Sequence, residues 1–326
     1  MELPDDVVGA FTGVATVDGP DGREFELARG WAHRALRVPM TVETRFGVAS
    51  ASKTFTAVIV LRLVERGVLS LTEPVRTWLG DDLPLIAPEV TLEQLLTHTS
   101  GIGDYLDEDE YELEDYILEV PVQQLTTAEA FLPILDGRPQ REEPGTAFRY
   151  NNGGFMVAAV IAERVTGKPY AELLDEEVVK PAGLVATAAL RTDSLPADVA
   201  LGYVFNEGDQ TNIFHLPVVP SGDGGAFTNA NDTVRFWRAL AGGELVSAEH
   251  VELMARPRNQ VPDEEMQYGL GMWLSWSGKQ WIMEGCDVGQ SYRSTFDPET
   301  GRVATVLSNT AGGAWKMVRE FEKLFA

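Results

Sequence analysis

One cysteine, four histidines and a shortage of basic side chains close several routes to function for this 326-residue chain. Cys286 stands alone, so no intrachain disulfide can form, and a reducing compartment suits it. A cysteine nucleophile needs a histidine beside it, and His33, His98, His215 and His250 show no pattern that points to Cys286; its plain structural role is a small buried hydrophobe. Neither a His-Glu-x-x-His spacing nor paired cysteines occur, so no metal and no cofactor is expected. Lys and Arg number 26 against 50 Asp and Glu, a formal net charge of -24, which argues against nucleic acid and against an anionic membrane surface as partners. No apolar run reaches membrane-spanning length, and Met1-Glu2-Leu3-Pro4-Asp5-Asp6 has neither a basic n-region nor an apolar h-region. The expectation is a soluble, cytoplasmic protein. Gly222-Asp223-Gly224-Gly225 lacks the spacing of a phosphate-binding loop. No Gly-x-Ser-x-Gly elbow, internal repeat or flexible linker is present.

What is there is 44% hydrophobic residues, enough for one large domain or two intimate ones with a proper core. The stretch from Phe46 to Leu61 draws the eye. Ala57, Val58, Val60, Leu61 and Val64 supply an apolar helical face, and Gly67 is a natural stop, so a helix from about Ser50 to Arg66 is predicted. Ser50 then sits in the first turn with Lys53 three residues on, on the same face. The dipole at a helix N-terminus disfavours a cation, which helps a lysine shed its proton. A neutral amine beside a serine hydroxyl can act as its general base. The competing reading makes Ser50 an ordinary N-cap and Lys53 a solvated side chain. None of the other lysines, Lys168, Lys180, Lys279, Lys316 and Lys323, has a serine three residues before it.

Along the chain, about Phe11 to Val17 and Glu24 to His33 read as strands around the turn 18–22, with Arg45 to Val48 a third extended piece. From Leu71 to about Ala200 the pattern is helical and rich in loops. A Thr91-capped helix runs to Leu96 and ends in Thr97-His98-Thr99-Ser100-Gly101, and Phe155 to Thr166 forms an apolar helix closed by Gly167. Asp107, Glu108, Asp109, Glu110, Glu112, Glu114, Asp115 and Glu119 form an acidic run, either a solvated face or a lid that attracts cationic substrate. Beyond Leu201 come a helix from Asn231 to Leu240 and strands at Tyr268 to Trp276, Gln280 to Glu284, Ser291 to Phe296 and Val303 to Ser308. A last amphipathic helix spans about Ala314 to Phe325. The fold class is therefore α+β. A central antiparallel sheet is built from N- and C-terminal segments (1–70 and 201–326), flanked by helices, with a mainly helical lobe (71–200) inserted and a cleft at the lobe boundary.

Four features occur in order: Ser50-Ala51-Ser52-Lys53, Thr97-His98-Thr99-Ser100-Gly101, Tyr150-Asn151-Asn152, and a glycine on a late strand. Together, from about Phe11 to Leu324, they resemble the serine β-lactamase-like superfamily. It comprises class C β-lactamases, low-molecular-weight penicillin-binding proteins, D-aminopeptidases and family VIII esterases. The resemblance implies a β-lactamase/transpeptidase-like fold in one catalytic domain. Ser50 would be the nucleophile, Lys53 and Tyr150 the proton-handling pair, and Asn152 the amide that holds Lys53 and substrate. A tyrosine ordinarily titrates near ~10 and becomes a useful base only if a cation favours its phenolate, which Lys53 could supply. Backbone N–H groups of Ser50 and Cys286 would form the oxyanion hole.

The third motif departs from the family form of Lys or His, a small residue, then Gly. Those positions fall on Met283, Glu284 and Gly285, so the glycine is kept and the cation is missing. Two placements are open for Glu284: facing the cleft, where it would repel a substrate carboxylate, or turned away and paired with an arginine such as Arg293. The function implied is a serine hydrolase that forms an acyl-enzyme on Ser50 with a small amide, peptide or ester. The alternatives are a penicillin-binding or β-lactamase activity, and a non-catalytic binding relative.

Overall fold

In the computed structural model, which describes residues 3–107 and 118–325, an eight-stranded antiparallel sheet carries the molecule. Its strands are β1 (Gly13–Gly19), β2 (Gly22–Arg29), β3 (Asn259–Val261), β4 (Met266–Tyr268), β5 (Trp273–Ser275), β6 (Trp281–Asp287), β7 (Gln290–Asp297) and β8 (Arg302–Ser308). They lie in the order β2-β1-β8-β7-β6-β5-β4-β3. The N-terminal hairpin thus joins the C-terminal meander through β1 against β8, with Val14 opposite Leu307 and Val17 opposite Ala304. The sheet is assembled from both ends of the chain, as the sequence predicts.

Alternation along the strands divides the core. On one face Val14, Met283, Tyr292, Val303 and Leu307 join the main core, and on the other Ala15, Val17, Ala304 and Val306 meet Met317, Val318 and Phe321 of the C-terminal helix. β2, at the edge, alternates exposed and half-buried residues. At the centre of the main core lies α1 (Lys53–Glu65), with every residue from Lys53 to Leu61 buried. A helix enclosed on nearly all sides needs apolar residues all round, and Phe55, Ala57, Val58, Ile59, Val60 and Leu61 provide them. Beside it packs α2 (Asn152–Thr166), which ends at Gly167 with φ +69°, a left-handed stop that glycine takes without a Cβ penalty. Helix α3 (Ala230–Ala241) and the C-terminal α4 (Trp315–Glu322) complete the flanks.

Two expectations shift. The region expected as one strand from Tyr268 to Trp276 is two, β4 and β5, broken where Gly269 fits against the Met254 carbonyl and Gly271, at φ +71°, against Ala57. β3 is an additional strand. Of the acidic run, residues 108–117 lie outside the described residues. At its ends Asp107 meets Arg141 and Arg149 at 3.4 and 3.2 Å, and Glu119 pairs with Arg138 at 2.8 Å. Among the described residues no helix is long and apolar enough to cross a membrane.

Candidate active site

Ser50 lies in a 3-10 turn, Ala49–Ser52, that leads into α1, rather than in the first turn of an α-helix. The turn begins with Ala49 at φ +46°, a left-handed conformation that an L-residue with a Cβ occupies at a cost. Remote contacts hold it there: the Ala49 N–H donates to Gln290 Oε1 at 3.3 Å and the Ala49 carbonyl accepts from Gly225 N–H at 3.1 Å. Ser50 is no cap, because neither the turn nor α1 has a side-chain cap. Its Oγ instead faces Lys53 Nζ at 2.9 Å.

Lys53 is 3% exposed. Its Nζ also donates to Asn152 Oδ1 at 2.7 Å and to the Asp223 carbonyl at 2.6 Å. Asn152 Nδ2 donates to the Leu106 carbonyl at 3.0 Å, which fixes the amide with its oxygen toward Lys53. Both that oxygen and the Asp223 carbonyl can only accept, so each takes a hydrogen from Nζ. The Ser50 contact is the one of these three in which the proton can sit on either atom. With the amine neutral, a serine proton can therefore pass to it without a rearrangement of heavy atoms.

Asn152 owes its position to the start of α2. Asn151 caps that helix, its Oδ1 accepting from Gly154 N–H at 2.6 Å, so α2 starts three residues before the predicted Phe155. The Asp104 carboxylate accepts from the N–H groups of Asn152 and Gly153 at 2.6 and 2.8 Å, a favourable place for an anion. Burial pushes the Asp104 carboxyl up to about 7, against the pull of these N–H groups, that of Leu106 and the Lys53 charge. Burial likewise raises Asp223, whose carboxyl accepts from Tyr105 Oη. Neither aspartate belongs to a motif of the sequence: the glycines around Asp223 mark its turn, and Asp104 carries no local signal.

Tyr150 is half-buried, and its ring centroid lies 5.0 Å from Lys53 Nζ. Gly285 sits on β6 where the strand passes the 3-10 turn: a Cβ there would meet the Val48 carbonyl at 2.3 Å and the N atoms of Ser50 and Ala51 at 2.6 and 2.7 Å. Cys286 follows, and its thiol reaches toward the Ala311 carbonyl at 3.5 Å. A cleft opens beside the 3-10 turn, lined by Ser50, Asn152, Cys286 and Asp287, by Tyr105, Leu106 and Leu118, and by residues between His215 and Gly225.

Glu284 is not part of this cleft. Adjacent residues of a strand face opposite sides, and since Gly285 faces the Ser50 turn, Glu284 points the other way. There Arg293, its cross-strand neighbour, donates to it and to Glu322. The placement of Glu284 against bound substrate is corrected accordingly: its carboxylate is held in an ion-pair cluster on the far face.

A Beta-lactamase family model matches residues 5–325, and the chain belongs to that family, whose members include serine hydrolases. The crystal structure of a penicillin binding protein from Bacillus halodurans superposes with a TM-score of 0.91 at 33% identity, over 98% of each chain. Esterase EstB of Burkholderia gladioli is 35% identical over 176 residues, 49% of this chain and 42% of the esterase. A D-aminopeptidase of Brucella anthropi is 27% identical over 261 residues, 78% of this chain and 47% of the peptidase. The chain thus spans less than half the length of either curated relative. The β-lactamase-like fold expected from the sequence is the one observed.

Proposed function

We propose that the protein is a serine hydrolase that acylates Ser50 with a small ester, amide or peptide and then releases the acyl group to water. The observation that carries this reading is the 2.9 Å contact of Lys53 Nζ with Ser50 Oγ at the floor of an open cleft. In the first step Ser50 Oγ bonds to the substrate carbonyl carbon while its proton passes to the Lys53–Tyr150 pair. The carbonyl π electrons move to oxygen, which the backbone N–H groups of Ser50 and Cys286 receive. Collapse of this adduct breaks the bond to the leaving alcohol or amine, which takes the proton. Water then attacks the acyl-enzyme by the same sequence and restores the serine. Asn152 holds Lys53 in line and borders the cleft, where it can also meet a substrate amide.

A second reading, acylation by β-lactams, is favoured by the likeness to the Bacillus halodurans penicillin binding protein over 98% of the chain. Against it, Met283 stands where the family form has a cation for the substrate carboxylate, and among the described residues no Lys or Arg lines the cleft. Intact-mass spectrometry after exposure to p-nitrophenyl esters, D- and L-aminoacyl amides and β-lactams tests both. A mass increment on Ser50 from an ester or amide supports the first reading, and one from β-lactams alone supports the second. No adduct with any class, at unchanged turnover, removes the acyl-enzyme.

A further inference from the structure

We propose that His98 is the positioning residue for Tyr150, an assignment that rests on the acyl-enzyme reading above. His98 follows the short helix Leu92–Leu96 in the Thr97-His98-Thr99-Ser100-Gly101 stretch, is 1% exposed and sits at φ +55°. It grips the chain on both sides of Tyr150. The His98 carbonyl accepts from the N–H of Arg149 at 2.8 Å, and its ring Nδ1 accepts from the N–H of Asn151 at 3.0 Å. Between these two anchors, the imidazole packs on the Tyr150 ring, centroids 4.4 Å apart at 33°. One residue therefore sets the backbone before Tyr150, the backbone after it and the plane of its ring.

The arrangement carries two costs. A left-handed φ is uncommon for a residue with a Cβ, though histidine tolerates it better than most. Because Nδ1 accepts, the ring proton belongs on Nε2, and Nε2 is buried with no hydrogen-bond partner among the described residues. Burial, together with the Lys53 charge, holds the imidazole well below its ordinary titration range, so it stays neutral and Nδ1 stays an acceptor. Phe155 and Tyr268 also lie against the ring, at 5.0 and 4.7 Å. A phenylalanine would fill that apolar space and spare the orphaned N–H. What it lacks is the acceptor for Asn151, the link that ties the ring to the segment bearing Tyr150. A site where strain and an unpaired donor are both retained for one geometric link points to function rather than to packing.

The test is a double-mutant cycle with a p-nitrophenyl ester, in which folding is checked by circular dichroism and active enzyme is counted by the burst. His98→Phe keeps a ring and removes the acceptor; His98→Asn keeps an acceptor and tolerates the left-handed backbone but removes the ring. In the otherwise native enzyme, His98→Phe is expected to lower kcat roughly 10- to 100-fold with KM within about twofold, and His98→Asn to recover part of that loss. In a Tyr150→Phe background, either change should cost no more than about twofold, since the group it positions is gone. Losses that multiply undiminished in that background overturn the assignment, because His98 would then act through Asn152 or through the fold at large. If His98→Phe does not fold, the cycle with His98→Asn decides by the same criterion. Ser50→Ala is the control: retained turnover there overturns the acyl-enzyme reading and this assignment with it. Abolished turnover there, with multiplying losses in the cycle, overturns the His98 assignment alone.

Discussion

Gly285 gives the sharpest test of how the site is built. Its backbone is extended, so conformational freedom is not the reason for glycine; space is. A Cβ at this position would lie 2.3 Å from the Val48 carbonyl oxygen, 2.6 Å from Ser50 N and 2.7 Å from Ala51 N. Val48 O and Ala51 N are themselves joined by the hydrogen bond that closes the 3-10 turn, at 3.1 Å. All three atoms are backbone and cannot rotate aside. Ordinary contact begins near ~3.5 Å, so Gly285→Ala requires β6 and the Ser50 turn to part by about 1 Å. That displacement falls on the two N–H groups assigned to the oxyanion and on Ser50 itself. A 1 Å error at a reacting centre costs on the order of 100-fold, and loss of one oxyanion donor about 100- to 1,000-fold. The expected result is a kcat for a p-nitrophenyl ester at least about 100-fold down. Overpacking should cost about 1–3 kcal/mol of stability, small enough to leave the protein folded, with a modest fall in Tm. Gly312→Ala, where an added Cβ meets nothing within 4 Å, is the neutral control. A folded Gly285→Ala enzyme that keeps kcat within about threefold would refute both the oxyanion assignment and the claim that β6 holds the Ser50 turn in place.

Three further outcomes follow from the same geometry. Cys286→Ala should keep kcat within about tenfold, because the backbone N–H survives and the thiol points toward the Ala311 carbonyl; a loss as deep as that of Ser50→Ala would make the sulfur itself functional. Lys53→Ala and Tyr150→Phe should be strongly non-additive in kcat if the two share one proton, whereas fully multiplicative losses in the double variant would separate their roles. Asp104 is raised from 3.8 to about 7 on folding, so the folded state binds its proton more readily than the unfolded chain. That contribution is fully present below about pH 4 and is lost as pH rises through about 7, on the order of 4 kcal/mol at its upper bound. Relative to Asp104→Asn, the native protein should therefore lose Tm between pH 5 and 8; parallel Tm curves would remove Asp104 from the account.

Much of the scaffold was legible because it is local. The strand-like runs after Leu201 announce the C-terminal meander, Gly167 stops α2, and motifs in the chain bring Ser50 and Asn152 onto Lys53, with the Tyr150 ring 5.0 Å from its Nζ. What escaped is imposed from afar. The left-handed Ala49, which turns the expected helix start into a 3-10 turn, is held by Gly225 and Gln290 from distant parts of the chain. Asp104, which anchors the start of α2, sits in a loop with no periodicity to mark it. The orientation of Glu284 is different in kind. Once Gly285 is placed against the Ser50 turn, strand alternation alone sends Glu284 to the opposite face. That signal was present in the sequence, and the choice between its two open placements depended only on fixing its neighbour.

Turning Glu284 away also moves the origin of charge selectivity. The repulsion of anionic substrates expected from that residue cannot come from a carboxylate bound to Arg293 on the far side of the sheet. Among the described residues two acids do line the cleft, Asp223 and Asp287. Asp223 is buried, raised by that burial and engaged by Tyr105, so it answers a substrate charge weakly. Asp287, at the end of β6 next to Cys286, is only partly buried, and its Oδ1 accepts from Val288 N–H at 2.7 Å. A substrate carboxylate brought within about 6 Å of it would meet repulsion of up to about 1–3 kcal/mol at an effective dielectric near 20, reduced by the contacts Asp287 itself makes, a handicap of at most about ten- to a hundredfold. An ester, an amide or an α-ammonium group escapes that handicap. Matched peptides, one with a free C-terminal carboxylate and one amidated, should therefore differ in kcat/KM by about that factor in favour of the amide. Asp287→Asn, which keeps the acceptor for Val288, should narrow the gap, while Glu284→Gln should leave it unchanged. A gap that survives Asp287→Asn, or a native preference for the free carboxylate, would mean that another group sets the charge of the cleft, and the β-lactam reading would gain at the expense of the ester and amide one.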